Sequence, residues 1–315
     1  MIWCYLVHLG YNMWEDREAP PIPPGLTPRL RRVLKTRRAT DDLRFDTPLW
    51  DELIDRMADA GVNMCLLDLG DGVRYASHPE IAVKHAWTPR RLRRELGRLR
   101  ERGIEPIPKL NFSATHDAWL GAYERCVSTD TYYAVCRDLI AEVCDLFDRP
   151  RLFHLGMDEE TCWHQRYSSY VVVRQGDLWW EDLRRLVHCA EAGGARAWVW
   201  SDYLWNHPGA FWRNMPRRVV QSNWYYGSVF HARRAHVRAY VDLEKHGYEQ
   251  IPTGSNFSVP ENFPQTVRYC AARVAPERLL GFCQTSWLPT QQAYRRHHRR
   301  ALRLVAEARR RLEQP

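Results

Sequence analysis

No stretch of this sequence is long and apolar enough to span a membrane, and no G-x-G-x-x-G follows any segment that reads as a strand. The first absence argues against transmembrane helices, the second against a dinucleotide site. Cysteine is present nine times, an odd number, and no two residues form a C-x-x-C pair. Scattered through apolar segments (Cys65, Cys136, Cys144, Cys189, Cys270), these cysteines read as buried free thiols of a reducing compartment, not as a disulfide framework or a zinc site. No two histidines stand at ligand spacing beside the acidic clusters, so neither a metal nor a cofactor is expected. The opening Met1 to Val7 lacks the basic and long apolar regions of a secretory signal, which points to the cytoplasm. No linker, internal repeat or low-complexity tract marks a second domain, so residues 1–315 read as one unit.

Positive charge is in excess, with 46 Lys+Arg against 38 Asp+Glu. Much of it falls on Arg90, Arg91, Arg93, Arg94, Arg98, Arg100 and Arg102. These read as a solvated helix face, because no nucleic-acid motif or aromatic platform accompanies them.

Strand-like and helix-like segments alternate along the chain. Ile2 to Leu9 is β-rich, and a proline-laden stretch over about 11–47 reads as a long irregular loop. Thr47-Pro48 and Thr88-Pro89 each open a helix, and Gly61 and Gly103 close them. Tyr132, Cys136, Leu139, Ile140, Val143 and Phe147 give the clearest amphipathic stripe. Further strands are predicted over 62–69, 104–110, 153–157, 195–200, 219–223, 248–253 and 279–285. Eight β/α alternations predict a single-domain α/β protein, a closed (β/α)8 TIM barrel.

One strand ends unusually. Phe153-His154-Leu155-Gly156-Met157 runs straight into Asp158-Glu159-Glu160. Three carboxylates there suit either a helix N-terminus, where they complement the dipole, or chemistry at the C-terminal face of a barrel. Residues ending the other strands share that face: Tyr11 and Asn12; Asp68 and Asp71; Lys109, Asn111 and His116; Trp200, Asp202 and Trp205; Asn223, Trp224, Tyr225 and Tyr226; Asn256; Gln284 and Trp287. Carboxylates and amides hydrogen-bond hydroxyls while aromatic faces cover sugar rings, so a carbohydrate suits this set better than a phosphate or a metal. From it, Asp158 and Glu159 are the candidate catalytic pair. Asp68, Asp71, Lys109, Asn111, His116, Trp200, Asp202, Trp224, Tyr225 and Trp287 are the candidate substrate-binding residues. No nucleic-acid or membrane partner is predicted.

Several stretches, in order, resemble glycoside hydrolase family 20, the β-N-acetylhexosaminidases. They are Ile54 to Asn63, His78-Pro79-Glu80-Ile81 with Trp87-Thr88-Pro89, Arg102 to Pro108, the H-x-G-x-D-E motif from His154 to Glu159, and Gly281 to Trp287. The resemblance covers roughly residues 50–290 and implies a (β/α)8 barrel. It also implies that Asp158 orients a 2-acetamido group and that Glu159 is the general acid, with the substrate's amide oxygen as nucleophile. Repulsion between adjacent acids would raise the pKa of one and keep it protonated. The family's strand-one arginine has no counterpart here, Lys109 and Asn111 replace a Glu and an Asp, and Asp68 replaces a His. Sugar recognition is therefore expected to differ. Two alternatives remain: a glycosidase using Asp202 or Asp71 as nucleophile on a sugar without the acetamido group, and a barrel that binds carbohydrate without cleaving it.

Overall fold

The computed structural model describes residues 1–14 and 21–313. Eight parallel strands, β1 Ile2–His8, β2 Met64–Asp68, β3 Glu105–Lys109, β4 Leu152–His154, β5 Arg196–Trp200, β6 Val220–Ser222, β7 Thr253–Ser255 and β8 Gly281–Thr285, form one sheet in the order β6-β5-β4-β3-β2-β1-β8-β7. The first strand pairs with both β2 and β8, so the sheet curls into a barrel. Bridges Gln221↔Gln250 and Trp224↔Thr253 close it between β6 and β7. The predicted seventh strand, 248–253, ends where the observed one starts. Pro252 lacks an N–H and interrupts pairing there, while the backbone amides of Ile251 and Thr253 donate to Gln221 and Asn223.

Alternate residues of each strand face opposite ways. Leu6, Met64, Leu66, Ile107, Trp198 and Val220 fill the barrel interior, whereas Tyr5, Val7, Cys65, Leu67 and Phe153 pack against the helices. Those helices are α1 Pro28–Arg37, α2 Thr47–Asp59, α3 Pro89–Glu101, α4 Asp130–Leu146, α5 Gly176–Ala192, α6 Tyr203–Asn206, α7 Pro208–Asn214, α8 Ala235–Lys245, α9 Asn262–Ala271 and α10 Arg295–Glu313. None is long and apolar enough to cross a membrane. The stripe of α4 is buried as its spacing predicts.

Helix α1 corrects the expectation of an irregular 11–47 stretch. Thr27 caps it by accepting from the Leu30 amide at 3.3 Å, and Pro28 supplies a preset first-turn φ. Prolines before the cap hid the signal. The helix-cap reading of Asp158 to Glu160 also falls, since no helix begins until Gly176.

Candidate active site

Strand β4 ends at His154, three residues before the predicted end. Beyond it Gly156, Met157 and Glu159 take φ values of +75°, +70° and +56°. Such backbone is strained for residues with a Cβ, at about 1–2 kcal/mol each, and collects at functional sites. Its effect is to turn both Asp158 and Glu159 toward one imidazole. Gly156 has no substitute at its position, because a Cβ would lie 1.9 Å from Oδ1 of Asn111.

The segment after β3 lies across this turn and stitches it down. Asn111 Nδ2 donates to Asp158 Oδ1 at 2.9 Å, and the Ser113 hydroxyl donates to the Asp158 carbonyl. The Ala114 amide donates to Glu160 Oε1 at 2.9 Å, and Thr115 Oγ1 to the Glu159 carbonyl at 2.8 Å. His116 then sits between the two acids, with Nδ1 3.2 Å from Asp158 Oδ1 and Nε2 3.3 Å from Glu159 Oε2. His164 approaches Glu159 Oε1 from the other side, also at 3.3 Å.

Burial alone would lower the pKa of His116, but the charges of Asp158 and Glu159 outweigh it and lift it to about 10. Burial alone would likewise raise Glu159, and here the two histidines win and hold its carboxyl well below the usual range. The expectation that acid–acid repulsion keeps Glu159 neutral is thus corrected, because an imidazolium separates the pair. Burial pushes the Asp117 carboxyl, next to His116, up to about 7, and Asp202 is pushed up too, first by burial and then by the charge of Asp158. Its Oδ2 accepts the Glu159 amide at 2.6 Å, and its Oδ1 has no hydrogen-bond partner.

A cavity of about 190 Å³ opens here, smaller than the roughly 300–1,000 Å³ of sites for drug-sized ligands and suited to about one sugar ring. Asn111, His116, Asp158, Glu159, Trp224 and Trp287 of the predicted set line it, together with Tyr226. Trp224 stacks on Tyr226 with centroids 4.9 Å apart, and Trp14 lies 6.3 Å from both His116 and Trp287. Met13, Trp14, Arg37, Phe257 and Ser258 complete the wall, and the sequence reading missed all five. Trp14 lies only three residues beyond Tyr11, so extending the first strand-end group would have found it. His164 was missed because no helical spacing ties it to Glu159.

The other predicted residues do not line this cavity. Lys109 and Asp68 are buried beneath it, with Nζ 2.6 Å from Oδ2, and His8 adds a contact at 3.2 Å. A buried cation requires a buried anion, so each occupies the other. Asp71 accepts from Asn12 Nδ2 at 2.7 Å and fixes the segment after β1. Trp200 belongs to the barrel interior under Trp287, at 5.9 Å, while Tyr225 turns away and donates to the Val229 carbonyl. Asp202 borders an adjoining cavity of about 480 Å³ that also touches Glu159. Glu160 is held by Arg174, which also reaches Asp182 at 2.8 Å, and is thereby removed from the chemistry.

His116, Asp158 and Glu159 place donor atoms within 4.8 Å of one another, the one such group among the described residues. Both ring nitrogens of His116 already face carboxylates, so its imidazolium offsets one of the cluster's two negative charges.

No family model and no curated protein matches the sequence. Solved structures do match. The chitobiase of Flavobacterium johnsoniae superposes with a TM-score of 0.61 at 19% identity, over 85% of this chain and 48% of that one. It shares the barrel of glycoside hydrolase family 20. An exo β-N-acetylglucosaminidase of that family from Vibrio harveyi, in complex with N-acetylglucosamine, gives 0.61 at 15% identity over 84% and 52%. Dispersin B gives 0.56 at 16% over 84% and 95%. The chain thus spans about half the length of the first two structures. At these identities the likeness is one of fold.

Proposed function

We propose that the protein is a glycoside hydrolase acting on a 2-acetamido-2-deoxy-β-hexoside, with the substrate's own amide oxygen as nucleophile. One observation carries the reading: among the described residues, the carboxylates lining the central cavity are Asp158 and Glu159. With Glu159 as the acid and Asp158, held by Asn111 and His116, as the amide orienter, a separate protein nucleophile would need a third, ionised carboxylate. Asp202, whose carboxyl burial pushes well above the usual range, is bonded to the Glu159 amide, and Asp71 is tied to Asn12.

In this reading Asp158, anchored through Oδ1, accepts the acetamide N–H on Oδ2, and its charge stabilises the oxazolinium cation. Glu159 gives a proton to the glycosidic oxygen as the C1–O bond breaks and the amide oxygen bonds to C1. Water then attacks C1 as the bond from C1 to the amide oxygen breaks and the acetamide is restored, and the water's proton returns to Glu159 as the sugar is released. The ligand-free protein holds the shared proton on His116, whose Nε2 faces Glu159 Oε2 at 3.3 Å. Transfer from that nitrogen supplies the acid as the leaving oxygen gains charge. Trp224 and Trp287 give apolar faces for the ring.

The low pKa of Glu159 favours one competing reading, a barrel that binds sugar without cleaving it. A chromogenic 2-acetamido-β-glucoside separates the two. Glu159→Gln is expected to lose about 10²–10⁴-fold in kcat. No hydrolysis by the unaltered protein, or turnover insensitive to that change, rejects the assignment.

A further inference from the structure

One cavity has no part in this chemistry. Beyond Trp287 lies a hollow of about 380 Å³ bordered by Tyr11, Arg32, Arg37, Tyr294 and His297, and among the described residues no carboxylate lines it. It shares Arg37, Phe257, Ser258 and Trp287 with the central cavity, so the two are contiguous. Among the described residues no ion pair engages Arg32 or Arg37, and the Arg37 guanidinium lies 5.2 Å from the Trp14 ring centroid.

Barrel order fixes which end of a sugar would meet it. Strands β4 and β8 are four places apart in a ring of eight, so Glu159 and Trp287 face each other across the mouth. A general acid stands beside the leaving group, which places departure on the β4 side, where the 480 Å³ cavity continues. The arginine-lined hollow is then on the opposite, non-reducing side of the ring.

We propose that this hollow binds an anionic group on the non-reducing side of the substrate, carried as an acidic ester on the ring itself or as the carboxylate of a preceding uronic acid. The inference rests on the glycosidase reading for its orientation and deepens it to a substrate class. Guanidinium groups bind carboxylate and sulfate oxygens in pairs, and the volume exceeds what the central ring requires. The acids at the β4 edge repel an anion while the arginines at the β8 edge attract it, so the charge distribution selects one direction of entry.

Calorimetry on the intact protein tests this with three probes: N-acetylglucosamine, its 6-O-sulfate, and a disaccharide in which a glucuronate precedes the N-acetylglucosamine. At least one anionic probe is expected to bind tenfold or more tightly than the neutral one at low salt. Arg37→Ala and Arg32→Ala should bring that ratio toward unity, and Arg37→Lys should restore part of it. The probe that shows the arginine-dependent gain identifies the source of the anion. Thermal melts of each variant exclude misfolding as the cause. Equal affinity for all three probes, or a ratio that both alanine variants leave intact, overturns the proposal. Hydrolysis is read separately on chromogenic glycosides with and without the sulfate. Arginine-dependent binding without cleavage rejects the glycosidase reading alone, and cleavage without anionic preference rejects the anion site alone.

Discussion

Replacing Glu160 with alanine separates it from its neighbour Glu159, because the structure gives the two acids different work. Glu160 accepts from Arg174 through both Nε and Nη2 and from the Ala114 amide at 2.9 Å, and its side chain is 5% exposed. Its removal leaves a buried guanidinium with Asp182 as its remaining carboxylate. Breaking a buried pair by deleting one partner costs about 3–5 kcal/mol. Asp182 at 2.8 Å keeps the loss near the lower end, and the orphaned amide adds roughly 1 kcal/mol. The total of about 4 kcal/mol is a large part of a typical stability of about 5–15 kcal/mol. With an unfolding entropy of about 2.1 cal/mol/K per residue over 315 residues, it lowers Tm by about 6 °C. Calorimetric melting and kcat/KM at a temperature well below Tm read the two effects apart. Glu160→Ala is expected to melt early and lose less than about tenfold in rate, whereas Glu159→Gln melts near the parent and loses about 10²–10⁴-fold. A Glu160→Ala protein with unchanged Tm and rate loss equal to that of Glu159→Gln would refute the assignment of roles.

The His116 pair makes stability depend on pH in a stated direction. The folded pKa of about 10 lies above the ordinary value near 6.5, so the contribution is full below about pH 6.5 and fades as pH rises toward 10. Glu159 is depressed instead, so its part is present above about pH 4.3 and is lost as pH falls. Denaturation midpoints of the parent minus those of His116→Gln should therefore peak between these limits, and a difference independent of pH would reject the imidazolium bridge. Gly156→Ala forces a Cβ against Asn111 at a φ of +75°, displacing the side chain that anchors Asp158. A loss of about 2 kcal/mol or more, together with a fall of at least about tenfold in kcat/KM, is the expected result, and a variant with parental activity would count against that anchor.

Individual elements show why parts of this were legible in advance. Apolar runs such as Met64 to Leu67 and the stripe on α4 depend on local period, and they formed where that period put them. Pro252 and Gly156 moved two strand ends, because hydrogen bonding and left-handed backbone act on single residues inside otherwise apolar runs. Placement at the barrel mouth was readable for Asn111, His116, Asp158, Glu159, Trp224 and Trp287, since each follows a strand. Lys109 and Asp68 also end strands, yet they pair with each other below the cavity. Arg37 reaches its wall from helix α1, which carries no strand-end signal, whereas Trp14 stands just past the group that ends the first strand.

From sequence alone came the barrel, its single unit and the acids at the end of its fourth strand, because these follow from periodicity and chain order. Charge state was decided only by tertiary structure. His116, distant in sequence from Glu159, lodges between it and Asp158 and moves the shared proton onto itself, while burial pushes the carboxyl of Asp202 upward. Electrostatic energy depends on separation in space and on exclusion of water, and the order of residues along a chain specifies neither until the chain has folded.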